Sequence, residues 1–187
     1  MSDEQALFDR AVGGDRDALD GLVAIHRPLA HRIAAGILGD RDQAEDVAQD
    51  AMLRLSAALP GFQRAAELRP WSYRVTLNLC RDQLRRRRRR SRDLPLEAAM
   101  GLPELADAPR AERTVDAERA RRAVTEALKQ LPDEQREVIT LRFVSGLPYA
   151  EIARITSTAQ GTIASRVFRA LKRLGELLDK RHLEVVE

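Results

Sequence analysis

Six arginines stand unbroken from Arg85 to Arg90, inside the stretch CRDQLRRRRRRSR at residues 80–92. Guanidinium groups at this density are suited to one chemistry above others, the holding of phosphate through charge and forked N–H donors. On a helix advancing about 100° per residue, Asn78, Arg81, Arg85 and Arg88 all fall within about 40° of Arg74. A second polar set, Thr158, Thr162, Ser165, Arg166, Arg169, Lys172 and Arg173, shares one helical face near the C-terminus. Small hydroxyl residues come first, where a helix approaches base edges, and cations follow, where phosphates lie. A third set is acidic: Asp42, Glu45, Asp46 and Asp50 with Gln49 among them, a ridge suited to basic side chains on a partner helix. Each set also has a plainer reading, as a basic tail, a solvated cationic helix and a solubilising acidic face.

Other chemistries find no support. No nucleophile–base pair or phosphate-cradling glycine loop is visible, so neither catalysis nor a cofactor is expected. The lone Cys80 excludes an internal disulfide framework, and with His26, His31 and His182 scattered along the chain it makes no metal site. Cys80 reads as a buried inert thiol rather than a redox sensor. The longest run without a formal charge, Ile155 to Ser165, is 11 residues, against the roughly 20 apolar residues a membrane span needs. The acidic N-terminus MSDEQALFDR lacks the apolar core of a signal peptide. A reducing, cytoplasmic setting is expected.

The elements that must position these residues are helical. The 187 residues contain 4% aromatics, and no strand-like runs of Val, Ile, Thr and Tyr occur. The net charge of +3 hides a strong segregation: −5 over residues 1–60, +9 over 61–92, −4 over 93–120 and +3 over 121–187. Leu19, Leu22, Val23, Ile25, Leu29, Ile33 and Ile37 read as a helix broken or kinked at Pro28 and ended by Gly39-Asp40. Ala44, Val47, Ala48, Ala51, Leu55 and Leu59 form the apolar stripe behind the acidic ridge. Residues 60–70, punctuated by Pro60, Gly61 and Pro70, read mostly as loop. A helix starts near Trp71 and runs into the arginines. Tyr73, Leu77, Cys80 and Leu84 lie on one flank of it, Val75 and Leu79 on the other. The first arginines continue this helix, while the later ones are expected to fray through like-charge repulsion.

Residues 93–112 have the prolines and weak periodicity of a linker. Helices then resume over 114–131, from Pro132 to Gly146, over LPYAEIARI and over GTIASRVFRALKRLGELLDKRH from Gly161 onward. In the last of these Ile163, Val167, Ala170, Leu171 and Leu174 make an apolar stripe opposite the polar face. The expected fold is therefore all-α, with two small helical domains at residues 1–92 and 113–187. Two short helices joined by the turn TSTAQ, the second basic and amphipathic, form a helix-turn-helix pattern.

The segment LPDEQREVITLRFVSGLPYAEIARITSTAQGTIASRVFRALKRL resembles region 4 of bacterial sigma factors, and the two-domain extracytoplasmic-function group most of all. The pattern is met at Leu131-Pro132, Arg136, Leu141-Arg142, Gly146, Glu151-Ile152-Ala153, Gly161-Thr162-Ile163, Ser165-Arg166 and Arg169-Ala170. It departs at Thr156-Ser157, where the family has Leu-Gly, and at Ala164, where a basic residue is frequent. DQAEDVAQDAMLRL resembles region 2.2. RPWSYRVTLNLCRDQLRRR resembles regions 2.3 and 2.4 through Trp71, Asn78, Asp82 and Arg85, with Ser72 in place of the usual leucine and an unusual Pro70.

The resemblance implies promoter-directed initiation in the cytoplasm, on the nucleoid. It implies docking of Asp42, Glu45, Asp46, Gln49 and Asp50 on the clamp helices of the polymerase's largest subunit, and a contact to the flap of the second-largest. It further implies −10 recognition by Trp71, Arg74, Asn78, Arg81 and Arg85, and −35 recognition by Thr158, Thr162, Ser165, Arg166, Arg169 and Lys172. Residues Gly61 to Arg69 resemble the loop that holds a flipped base, beside which Trp71 is either core or wedge. The linker would lie in a basic polymerase channel, and an anti-sigma partner is expected. Two other readings remain from the residues themselves: a free-standing helix-turn-helix regulator, and a helical scaffold or RNA-binding protein using the arginine run alone.

Overall fold

The computed structural model describes residues 3–93 and 115–184, and the proposed linker apart from its first residue lies outside them. Every regular element among the described residues is helical: α1 (Asp3–Val12), α2 (Arg16–Leu38), α3 (Arg41–Ala58), α4 (Leu68–Asp93), α5 (Val115–Lys129), α6 (Asp133–Ile139), α7 (Tyr149–Thr156) and α8 (Gln160–Glu184). Short 3-10 turns occupy Leu59–Gly61 and Ala65–Glu67, and a wide turn occupies Thr140–Val144. No helix among the described residues is long and apolar enough to cross a membrane. The chain divides into two compact units. One is built on α1, most of α2, α3 and α4; the other is built on α5–α8 and takes in Ala35–Arg41.

In the first unit, α2 runs through Pro28 without a break. A proline inside a helix forfeits one backbone hydrogen bond. Here Leu22, Leu29, Ala30 and Ile33 are buried on both sides of it, and each large aliphatic contributes about 1.5–3 kcal/mol. That burial outweighs the lost bond. The expected stripe is buried at Leu22, Leu29, Ile33 and Ile37 and half-buried at Leu19 and Val23, whereas Ile25 is 38% exposed and the buried residue between Leu22 and Leu29 is His26. Gly39, at φ +64, ends the helix with its N–H on Ala35 O at 3.0 Å, the left-handed cap that glycine adopts without strain. In α3 the expected stripe of Ala44, Val47, Ala48, Ala51 and Leu55 is buried, with Leu59 just beyond.

Residues 60–70 are more ordered than a loop reading implies. The two 3-10 turns, together with α4, which begins at Leu68 ahead of Trp71, take up most of the segment. Pro70 sits in the first helical turn, where its missing N–H has no acceptor to lose. Tyr73, Leu77, Leu79 and Cys80 are buried as the two flanks require. The later arginines do not fray, since α4 stays helical through Asp93. Arginine is a good helix former, and the buried first half of α4 has already met the cost of nucleation.

In the second unit, Pro132 precedes α6, whose first turn carries Asp133 and Glu134, the favourable sign at a helix N-terminus. After the wide turn Gly146 takes φ +70, and Pro148 precedes α7. The turn between α7 and α8 departs from the family's Leu-Gly pattern in residue type, and a serine here takes the conformation that glycine favours. Ser157 adopts the left-handed conformation, at φ 53 and ψ 43, and the Thr158 N–H closes the turn on Ala153 O at 3.0 Å. A side chain held there costs about 1–2 kcal/mol. Thr156 is buried and its hydroxyl donates to Ile152 O at 2.8 Å. Ile163, Val167 and Ala170 of α8 are buried, whereas Leu171, at the edge of the expected stripe, is 47% exposed.

Candidate nucleic-acid interface

The C-terminal face is set by α8, whose apolar side is buried against its own unit. Ser165, Arg169, Lys172 and Arg173 are exposed on the opposite side, with Thr158 and Thr162 half-buried at its start. Two of these side chains are oriented along the helix: Ser165 Oγ donates to Thr162 O at 2.9 Å, and Arg169 Nε to Ser165 O at 3.3 Å. Arg166 is different. It is largely buried, and its Nη2 lies 2.6 Å from Glu134 Oε2 of α6. That carboxylate cancels much of the charge Arg166 would offer a phosphate, so Arg169, Lys172 and Arg173 make up the open cationic edge. Two other arginines of the family pattern serve the fold. Arg136 is buried, with Nη2 donating to Leu131 O at 3.0 Å and to Asp133 Oδ1 at 3.2 Å. Arg142 donates to Leu147 O at 3.2 Å and covers the Tyr149 ring at 5.5 Å.

The N-terminal face is one side of α4. Arg74, Asn78, Arg85 and Arg88 are exposed and Arg81 is half-buried, so the structure places the expected ridge on a single face and extends it along an unbroken helix. Arg85 also pairs with Asp82, one turn earlier. Trp71 is half-buried and meets Phe62 edge-on, with ring centroids 5.6 Å apart and planes at 84°. It is therefore anchored to the preceding loop while keeping part of its surface open, between the two roles its sequence position allows.

Of the acidic set, Asp42, Asp46, Gln49 and Asp50 are exposed along α3. Glu45 is already engaged by Arg27, and His31 Nε2 lies 4.0 Å from its other oxygen. Leu53 is missing from the sequence-based set. It is 63% exposed and falls about 20° from the line of Asp42 on a helical wheel, in the middle of the ridge. The signal was available, since 53 is seven residues beyond 46 and four beyond 49. A second overlooked apolar surface is Phe168, 70% exposed, with Leu171 and Lys172 one turn further along α8.

His26 is the buried polar centre of the first unit. Ser72 Oγ lies 3.4 Å from its Nδ1 and Glu4 Oε1 lies 3.1 Å from its Nε2. With the ring proton on Nε2, the imidazole donates to the Glu4 carboxylate and accepts from the Ser72 hydroxyl. Burial pushes the His26 pKa below its ordinary value, and the Glu4 charge opposes the shift, so the neutral ring is favoured. The Ser72 departure from the family's leucine thus has a physical partner. Cys80 is buried and makes no disulfide. Among the described residues no cluster of His, Cys, Asp and Glu is arranged to hold a metal ion.

Comparison with known proteins matches the family described as Sigma-70 region 2 to residues 22–90, and that described as Sigma-70, region 4 to residues 121–174. The chain is 36% identical over 172 residues to ECF RNA polymerase sigma factor SigM of Mycobacterium tuberculosis, covering 92% of this chain and 83% of that one. It is 31% identical over 180 residues to RNA polymerase sigma-H factor of Pseudomonas aeruginosa, covering 94% and 93% respectively. Among solved structures it resembles the sigma factor RpoE in complex with the anti-sigma factor NepR from Bartonella quintana. There the TM-score is 0.68 at 30% identity, covering 86% of this chain and 96% of that one. The chain belongs to the sigma-70 family of RNA polymerase sigma factors, in its ECF group.

Proposed function

We propose that this sigma factor directs promoter-specific initiation through two DNA-facing surfaces and one polymerase-facing surface. Residues 1–92 act as region 2 and residues 113–187 as region 4, joined by a linker at 93–112; the matched spans fall inside these limits. The ridge of Arg74, Asn78, Arg81 and Arg85, with Trp71 and the loop before it, engages the −10 element. Thr158, Thr162, Ser165, Arg169 and Lys172 engage −35, with Arg166 acting mainly through its pair with Glu134. Asp42, Asp46, Gln49 and Asp50, with Leu53 between them and Glu45 at the edge, dock on the clamp helices of core polymerase, and the second unit adds a contact to the flap. The protein works in the cytoplasm, on the nucleoid. An anti-sigma factor holds it in check, in the manner that RpoE is found with NepR.

The observation carrying this reading is the pair of cationic helix faces, one on α4 and one on α8, each backed by a buried apolar side. Run-off transcription with core polymerase tests it. Transcripts that start at a defined position only when this chain is present are expected. Tight operator binding without polymerase, and no such transcripts, would leave a free-standing regulator instead.

Within region 4 the two arginines should separate. Arg169→Ala is expected to weaken holoenzyme binding to a −35 duplex by about 1–3 kcal/mol, because its guanidinium is exposed. Arg166→Ala should cost clearly less in DNA affinity and show more of its effect in the thermal midpoint. Equal DNA-binding losses for the two variants would reject this ranking.

A further inference from the structure

Two neighbouring residues of α1 support the segment assigned to −10 capture, Gln5 directly and Glu4 through His26. Gln5 Oε1 accepts the backbone N–H of Ala65 at 3.1 Å, across 60 residues of chain. Its Nε2 donates to Asp9 Oδ1 at 2.8 Å, which fixes the way the amide is turned. Ala65 opens its 3-10 turn, and the preceding Arg64 is extended, at φ −157 and ψ 151, with no side-chain cap. The Ala65 N–H therefore has no acceptor within its own turn, and Gln5 supplies the missing cap from another helix. Glu4, one residue earlier, accepts from His26, whose other nitrogen takes the hydroxyl of Ser72. Ser72 directly follows Trp71.

The rest of the loop is braced from within. Glu67 accepts the Gln63 N–H at 3.3 Å and the Arg64 Nε–H at 3.3 Å, and Phe62 packs on Trp71. What stays exposed is a short rim of Gly61, Gln63, Arg64, Ala66 and Arg69. The strut itself is anchored in the core by Phe8 and Ala11. A loop held in its working shape before DNA arrives loses less freedom on binding.

We propose that α1 is a strut that presets the Gly61–Trp71 loop for base capture, and that Gln5 is a positioning residue for promoter melting through the Ala65 amide. This rests on the assignment of that loop to the −10 element. Removing the acceptor would orphan an N–H on a buried residue if the loop stayed in place. The loop instead shifts, and the capture geometry is lost.

The test uses the full chain with core polymerase and a promoter carrying 2-aminopurine in the −10 non-template strand. Gln5→Ala should lower the open-complex yield by about 5- to 10-fold, the low end of what one orphaned buried donor costs, with core affinity unchanged. A second set of templates carries an abasic nucleotide at each −10 position in turn. At the captured position the abasic template should cost the wild-type chain much more than it costs Gln5→Ala, because two lesions in one contact are not additive. Equal open-complex yields, losses that multiply independently at every position, or a parallel fall in core affinity would each overturn the proposal. Failure of the wild-type chain to support run-off initiation would sink the −10 assignment itself. Initiation by wild type matched by Gln5→Ala would sink the strut alone.

Discussion

Replacing Arg81, Arg85 and Arg88 with glutamine should lower the affinity of the holoenzyme for promoter DNA far more than replacing Arg86, Arg87 and Arg90. The two triple variants lose the same formal charge. They differ in direction: the first three lie within about 40° of Arg74, while the others point about 120° or more away from it on the same helix. That comparison is meaningful because α4 remains helical through Asp93, so the angular positions persist to the end of the run. Each phosphate contact contributes about 0.9 to the slope of log affinity against log salt, so loss of three on-face contacts should flatten the slope by about 2.7. Between 50 and 200 mM salt that amounts to roughly a 40-fold difference in salt sensitivity. The off-face triple should change the slope by less than about 1. Equal slopes for the two variants would mean that the arginines act as a diffuse basic tail, with no helix face defining their register.

The ease of reading these surfaces followed the range of the interactions that build them. The faces of α4 and α8 depend on helical period alone, and both emerge where the spacing of Arg74, Asn78 and Arg85, and of Ile163, Val167 and Ala170, places them. Breaker rules did less well. Pro28 and Pro70 both lie inside helices, one tolerated because its surroundings are buried and the other because the first turn needs no N–H. Ser157 shows a residue departing from its family pattern while the backbone takes the left-handed turn. His26 occupies an apolar stripe position, four residues after Leu22 and three before Leu29, and only its partners Glu4 and Ser72 explain why it is there. Least accessible were contacts between distant segments. Nothing local in the sequence announces that Glu134 neutralises Arg166, that Arg27 engages Glu45, or that Gln5 caps Ala65.

Leu53→Ala should reduce affinity for core polymerase by about 30-fold, equivalent to roughly 2 kcal/mol for an anchor residue at the centre of an interface. A single exposed leucine is ordinary on any protein surface. This one stands on the face that carries Asp46, Gln49 and Asp50, and is 63% exposed where the opposite side of α3 is fully packed. In the proposed docking an apolar anchor ringed by charge would divide the work: the carboxylates would steer a basic partner helix into register, and the leucine would exclude water once docked. The division has a kinetic signature. Asp46→Lys with Asp50→Lys should slow association and remove most of its salt dependence, whereas Leu53→Ala should mainly speed dissociation. Glu45→Gln should have a smaller effect than either, because Arg27 and His31 already face that carboxylate. The exposure of Leu53 leaves the fold little to lose, so its thermal midpoint should match the wild type. A Leu53→Ala variant with unchanged dissociation from polymerase would place the docking surface away from the centre of α3, and a lowered midpoint would assign its effect to stability.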